Sequence, residues 1–158
     1  MRRALAIHLL LSAVVFVGCT RHTHRHVREV MLTLEDTERD GSSRSEAVIF
    51  QKDKGAERRV RISKHVGEAR LVTNDTGPIF ADTFERLVNA IEENDFYSKK
   101  DYKGEAFNGA DLTNITVLAD EGSYSINVDQ HDPQIQNILT AIHRAEGEIS
   151  WQHVDTEQ

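Results

Sequence analysis

The sequence predicts an α+β domain, an antiparallel sheet with two amphipathic helices packed on one face. Three patterns predict it. Short runs alternate apolar with polar residues, as strands with one buried face do. Two longer stretches repeat their apolar residues at the helical period. The links between consecutive early strand runs are too short for the crossovers that parallel strands need, so neighbouring strands must reverse.

Val30, Leu32 and Leu34 alternate with Met31 and Thr33 and give the first strand. Glu35 to Ser45 is polar, contains Gly41-Ser42-Ser43 and reads as a loop. Ala47-Val48-Ile49-Phe50 reads as the second strand, Val60 and Ile62 between arginines as the third, and Ala69 to Val72 as a fourth. The period changes after Thr76-Gly77-Pro78. Phe84, Leu87, Val88 and Ile91 then form one stripe of a helix, with Glu85, Arg86, Asn89, Glu92 and Glu93 opposite. Asp82 and Glu85 match a capping box at its start. Asp95 to Asp111 is polar but holds Phe96, Tyr97, Tyr102 and Phe107, and reads as an ordered loop pinned by its aromatics. Ile115, Val117 and Ala119 face Tyr124, Ile126 and Val128 across Asp120-Glu121-Gly122, a hairpin in which Gly122 supplies positive φ. Asp132-Pro133 opens the second helix as N-cap and N1, Ile135, Ile138, Leu139 and Ile142 give its apolar stripe, and Gly147 is its expected stop.

The chain has 158 residues and a formal charge of −7. Residues 1–18 hold two of the 19 basic residues and none of the 26 acidic ones, which leaves 17 against 26 and a charge of −9 on the remainder. A polyanion would be repelled by such a surface, so nucleic acid is not an expected partner. With one cysteine and no internal repeat, the remainder reads as a single domain held by packing and hydrogen bonds.

The amino terminus says where the protein is expected to reside. Met1-Arg2-Arg3 is followed by an apolar run from Ala4 to Gly18 and then by Cys19, the pattern of a secretory signal. Phe16-Val17-Gly18-Cys19 resembles the lipobox of bacterial lipoproteins. That resemblance implies a diacylglyceryl thioether on Cys19, cleavage before it and an acylated new amino terminus. Thr20, where aspartate would resemble an inner-membrane retention signal, implies sorting to the outer membrane. Two other readings stay open. The run of 15 residues is short for a membrane span of about 20 and contains His8; an ordinary signal would leave Cys19 as a free thiol in an oxidising compartment. The expected organisation is a signal peptide over residues 1–18, a lipidated flexible tether over 19–28, one α+β domain over 29–154 and a disordered tail over 155–158.

From Thr83 to about His143 the chain also resembles a group of small bacterial lipoproteins and periplasmic proteins whose shared domain has no assigned function. The helix Thr83 to Asn94, Asp95-Phe96-Tyr97, Tyr102, Asp111, the hairpin Ile115 to Val128 and the Asp132-Pro133 helix start carry it. Members often have a Cys-x-Gly-x-Cys-Pro-x-Tyr segment after the first strand. Here Glu35 to Ala47 has neither cysteine nor proline, so roles tied to those residues do not carry over.

Candidate chemistry is sparse. His22, His24 and His26 alternate as metal ligands can, but Arg21, Arg25 and Arg28 sit among them and oppose a cation, so the tract reads as a hydrated spacer. Arg58, Arg59, Arg61 and Lys64 concentrate positive charge on one strand. Arg59 and Arg61 should share its solvent face, either as forks for a carboxylate or phosphate or as surface charges matched to nearby carboxylates. Asp101, Glu105 and Asp111 have no calcium-loop spacing. Nucleophile-elbow, zinc-helix, phosphate-loop and dinucleotide patterns are absent from the sequence. The expectation is a non-enzymatic envelope lipoprotein that holds to the membrane through Cys19, binds an envelope protein or component, and uses no metal or cofactor. A periplasmic small-anion-binding domain using Arg59 and Arg61 is the alternative, and a hydrolase comes third.

Overall fold

The alternation in the first part of the chain becomes four consecutive antiparallel strands. The computed structural model describes residues 25–37, 42–63, 69–102, 112–129 and 131–155. Strands β1 (Val27–Thr37), β2 (Ser43–Gln51), β3 (Gly55–Ser63) and β4 (Ala69–Gly77) lead into helix α1 (Ala81–Glu93). A 3₁₀ turn (Phe96–Ser98), β5 (Leu112–Ala119), β6 (Gly122–Asn127), helix α2 (Pro133–Gly147) and the two-residue β7 (Gln152–His153) follow. The strands form one antiparallel sheet in the order β6-β5-β1-β2-β3-β4-β7. The domain is thus mixed α and β, and mostly sheet.

The order follows from β1, whose inward residues need apolar neighbours on both sides. Val30 lies between Phe50 and Val117, and Leu32 between Val48 and Ile115, all six buried. Side chains alternate across a strand, so one set of residues from β1, β2, β3 and β5 enters a core that also holds Phe84, Leu87 and Ile91 of α1 and Ile135, Ile138, Leu139 and Ile142 of α2. The helices run antiparallel to each other. Asn137 Nδ2 donates to Asn94 Oδ1 at one end of the pair, and Thr83 Oγ1 donates to Glu148 Oε2 at the other.

Several local expectations are corrected. Helix α1 begins at Ala81 with Phe80 at its N-cap, and no side chain caps it. The capping box is therefore not formed: Asp82 lies one residue inside the helix, accepts from the Thr83 backbone N–H, and pairs with Arg86 at 2.9 Å. The loop expected over Glu35 to Ser45 is shorter, because β1 continues to Thr37 and β2 starts at Ser43. Gly147 is the last residue of α2 rather than a left-handed stop, and Glu148 follows it in the helical region. Other expectations match. Asp132 caps α2 by accepting from the Gln134 N–H, and Gly122 has φ of 150°. Phe96 is buried, while Tyr102 is exposed and Phe107 lies outside the described residues.

Gly77 marks the closest approach between sheet and chain end. A Cβ there would stand 2.8 Å from the Ser150 carbonyl oxygen and nearer still to the Ile149 side chain. Gly77→Ala is accordingly expected to cost about 1–3 kcal/mol through overpacking, measured as a lower urea midpoint with unchanged slope.

Candidate functional site

Cys19, which the sequence marks most strongly, lies outside the described residues, as do His22, His24, Lys64, Glu105 and Asp111. The structure does give the place where the chain joins the domain on that side. The Arg25 guanidinium lies 4.0 Å from the centroid of the Tyr97 ring and 4.6 Å from that of Tyr124. The two rings meet edge to face at 4.8 Å, so the cation sits in a seat with two aromatic walls. The Arg25 backbone N–H donates to Glu92 Oε1 at 3.1 Å, and the His26 carbonyl accepts from the Asp120 N–H. Burial, with the Glu92 carboxylate adding to it, pushes the Tyr97 phenol up to about 12, so the ring stays neutral at ordinary pH. Val27 is buried in the core. The folded part thus reaches to Arg25, where composition alone indicates a tether running to residue 28.

Arg59 and Arg61 do share a face of β3, opposite Ala47 and Ser45 of β2. Glu57 lies on that face two residues earlier, and both of its oxygens accept from the Arg59 guanidinium at 2.5 Å. The Arg59 fork is therefore filled by its own strand, and Arg59 and Arg61 do not present paired free forks. Arg61 is exposed and has no ion-pair partner among the described residues.

The arginine with the denser surroundings is Arg58, on the core side of the same strand. It donates twice to Asp75 Oδ2 of β4, at 3.2 and 3.3 Å, and once to Glu146 Oε1 of α2 at 3.3 Å. The Trp151 ring lies 4.8 Å from it, and His153 of β7 shares a 3.0 Å hydrogen bond with Asp75. The His153 bond first, and then Arg58, hold the Asp75 carboxyl below its ordinary range against the opposing effect of burial. This network ties β3, β4, α2 and β7 together. Alternation from Val60 and Ile62 is the sequence signal that puts Arg58 inward.

On the other side of the strands the register sets side chains in rows. Ser125, Thr116, Met31, Ile49 and Glu57 form one row, and Asn127, Asn114, Thr33, Ala47 and Arg59 the next. Ile49 is 7 % exposed yet belongs to no part of the main core, so the middle of this face has a small apolar centre. Polar groups flank it. Asn114, Thr116, Ser125 and Asn127 bond to one another, and Gln51 donates to Glu29 at 2.7 Å.

A cleft of about 330 Å³ opens between the Lys99–Tyr102 segment, the end of β6 and the start of α2. Lys99 Nζ bonds across it to Asp132 Oδ2 at 2.7 Å and to Gln134, and that bond first lowers the Asp132 pKa. Asp101 Oδ1 accepts from the Asn127 N–H and so braces the edge strand. Among the described residues no three His, Cys, Asp or Glu side chains are grouped to hold a metal ion. Comparison with protein-family models, with curated proteins and with solved structures finds no match.

Proposed function

We propose that the protein is an outer-membrane lipoprotein, held through acyl chains on Cys19, whose periplasmic domain is a non-enzymatic module that binds an envelope protein. In this reading both helices cover the core side of the sheet and leave the side around Ile49 open. The observation that carries it is the apolar centre on that side, the half-buried Met31 and Ala47 and the buried Ile49, surrounded by hydrogen-bonding side chains. An apolar centre with a polar rim is the arrangement protein interfaces use. The closed ion pair of Arg59 with Glu57 favours this reading over small-anion binding, because an anion would have to displace a carboxylate already in place. The signal-like segment ending at Cys19 and the resemblance to envelope lipoproteins support the location.

In-cell crosslinking of the tagged protein, followed by mass spectrometry, tests the reading. One reproducible envelope protein is expected, lost in Ile49→Glu and retained in Arg61→Ala. Capture unaffected by Ile49→Glu, together with stabilisation of the purified domain by phosphate that Arg61→Ala abolishes, would replace it with the small-anion alternative.

A further inference from the structure

Where the chain joins the domain limits how the domain can stand on a membrane. Arg25, which is fixed between Tyr97 and Tyr124, lies six residue steps beyond Cys19. Fully extended they span about 20 Å. Strand β1 starts two residues later and runs for 11 residues, about 36 Å, away from that point. An anchor at Cys19 therefore keeps the end of the sheet where β1 begins within about 20 Å of the bilayer, and sets no such limit on the opposite end, with Ile62.

That same end carries an exposed aromatic and two lysines. Phe80 is 65 % exposed although it sits at the N-cap of α1, where a polar capping side chain is the usual choice. The β2–β3 turn, Lys52-Asp53-Lys54, lies alongside. A Cβ on Gly55 would be 2.6 Å from the Gly77 carbonyl oxygen and 3.7 Å from Pro78 Cα, two residues before Phe80. The Lys52 N–H donates to the Arg28 carbonyl, so the turn and the start of β1 share this end. The acidic groups here are Asp53 between the lysines, Glu29, which accepts from Gln51 beside them, Asp82 two residues past Phe80, which Arg86 pairs at 2.9 Å, Asp120, which Arg28 pairs at 3.0 Å, Glu121, and Glu92 beneath Arg25. Asp120 and Glu121 form the β5–β6 turn, and β5, β1, β2 and β3 separate β6 from β4. Phe80 and the two lysines thus mark the corner toward β4, and the acidic turn lies toward β6, with β1 alone between β2 and β5.

Resting on the reading of Cys19 as the lipid anchor, we infer that this corner docks on the bilayer, with the Phe80 ring at the level of the lipid headgroups and Lys52 and Lys54 against their phosphates. An apolar ring gains by burial at the headgroup–acyl boundary, and lysines beside it gain from anionic headgroups. Docking fixes the orientation that a flexible tether would leave free, and holds the Ile49 side of the sheet edge-on to the membrane, open to a partner.

The test uses the full lipidated chain in vesicles of phosphatidylethanolamine and phosphatidylglycerol, with an environment-sensitive fluorophore on Ala81→Cys beside Phe80 or on Ile62→Cys at the far end. Headgroup-nitroxide lipids should quench the first and spare the second. Phe80→Ala combined with Lys54→Glu should remove the quenching at position 81 without releasing the chain from the vesicles. Equal quenching at the two positions, or quenching at 81 that survives those substitutions, overturns the docking while flotation with vesicles preserves the anchor. A chain that does not float overturns both.

Discussion

Ile91→Asp is expected to leave the domain without a cooperative melting transition at physiological temperature. Ile91 is 0 % exposed and sits in the core with Leu87 and Phe84 of the same helix and apolar residues of the sheet. An aspartate there either buries an unpaired charge or takes up a proton to avoid it, and both are costly. The loss should exceed about 4 kcal/mol, most of the 5–15 kcal/mol that holds a typical domain. Glu85→Ala, on the exposed side of α1, should change stability by less than about 0.5 kcal/mol. Comparable melting shifts in the two variants would show that the apolar stripe of α1 is not its buried face.

Arg58→Met is expected to be the next most damaging change, at about 2–3 kcal/mol. Arg58 is 29 % exposed, and its carboxylate partners Asp75 and Glu146 are 13 % and 22 % exposed. Removing the guanidinium leaves two shielded carboxylates facing each other, and the partial exposure of all three keeps the cost under that of a fully buried pair. Arg58→Met with Asp75→Asn should recover part of the loss, because the second change removes a stranded charge. A double-mutant cycle by urea denaturation measures the coupling. The pH dependence has a defined sign. The Asp75 carboxyl titrates lower in the folded domain than in the unfolded chain, so its stabilisation is present above about pH 4 and lost as pH falls through the folded value. Asp75→Asn should therefore flatten the acid side of the stability profile and leave the neutral side with its shape unchanged.

The elements set by local pattern were legible in the sequence. Alternation around Val30 and Leu32, the hairpin turn at Gly122 and the Asp132-Pro133 helix start depend on residues close together in the chain, and the structure has each of them. What pattern did not convey depends on distant partners. Arg25 reads as part of a polar spacer until Tyr97 and Tyr124 are brought against it. Arg58 looks like one more surface cation, yet its Glu146 partner lies 88 residues away. Asp82 fits a capping motif, but the chain enters α1 through Phe80 in an extended conformation, so the helix starts two residues earlier than a cap at Asp82 would require. For the candidate site, alternation correctly grouped Arg59 with Arg61, and the same alternation puts Glu57 beside them to close the fork. The apolar centre at Ile49 escaped notice because a run of four apolar residues gives no hint which two face the main core.

The proposed place of this domain in the envelope depends on lipid at Cys19. Metabolic labelling with an alkyne fatty acid, followed by click detection on the purified chain, tests it most directly. A labelled band is expected for the native sequence and none for Cys19→Ala. A label that persists in Cys19→Ala, or none on the native chain, would contradict it.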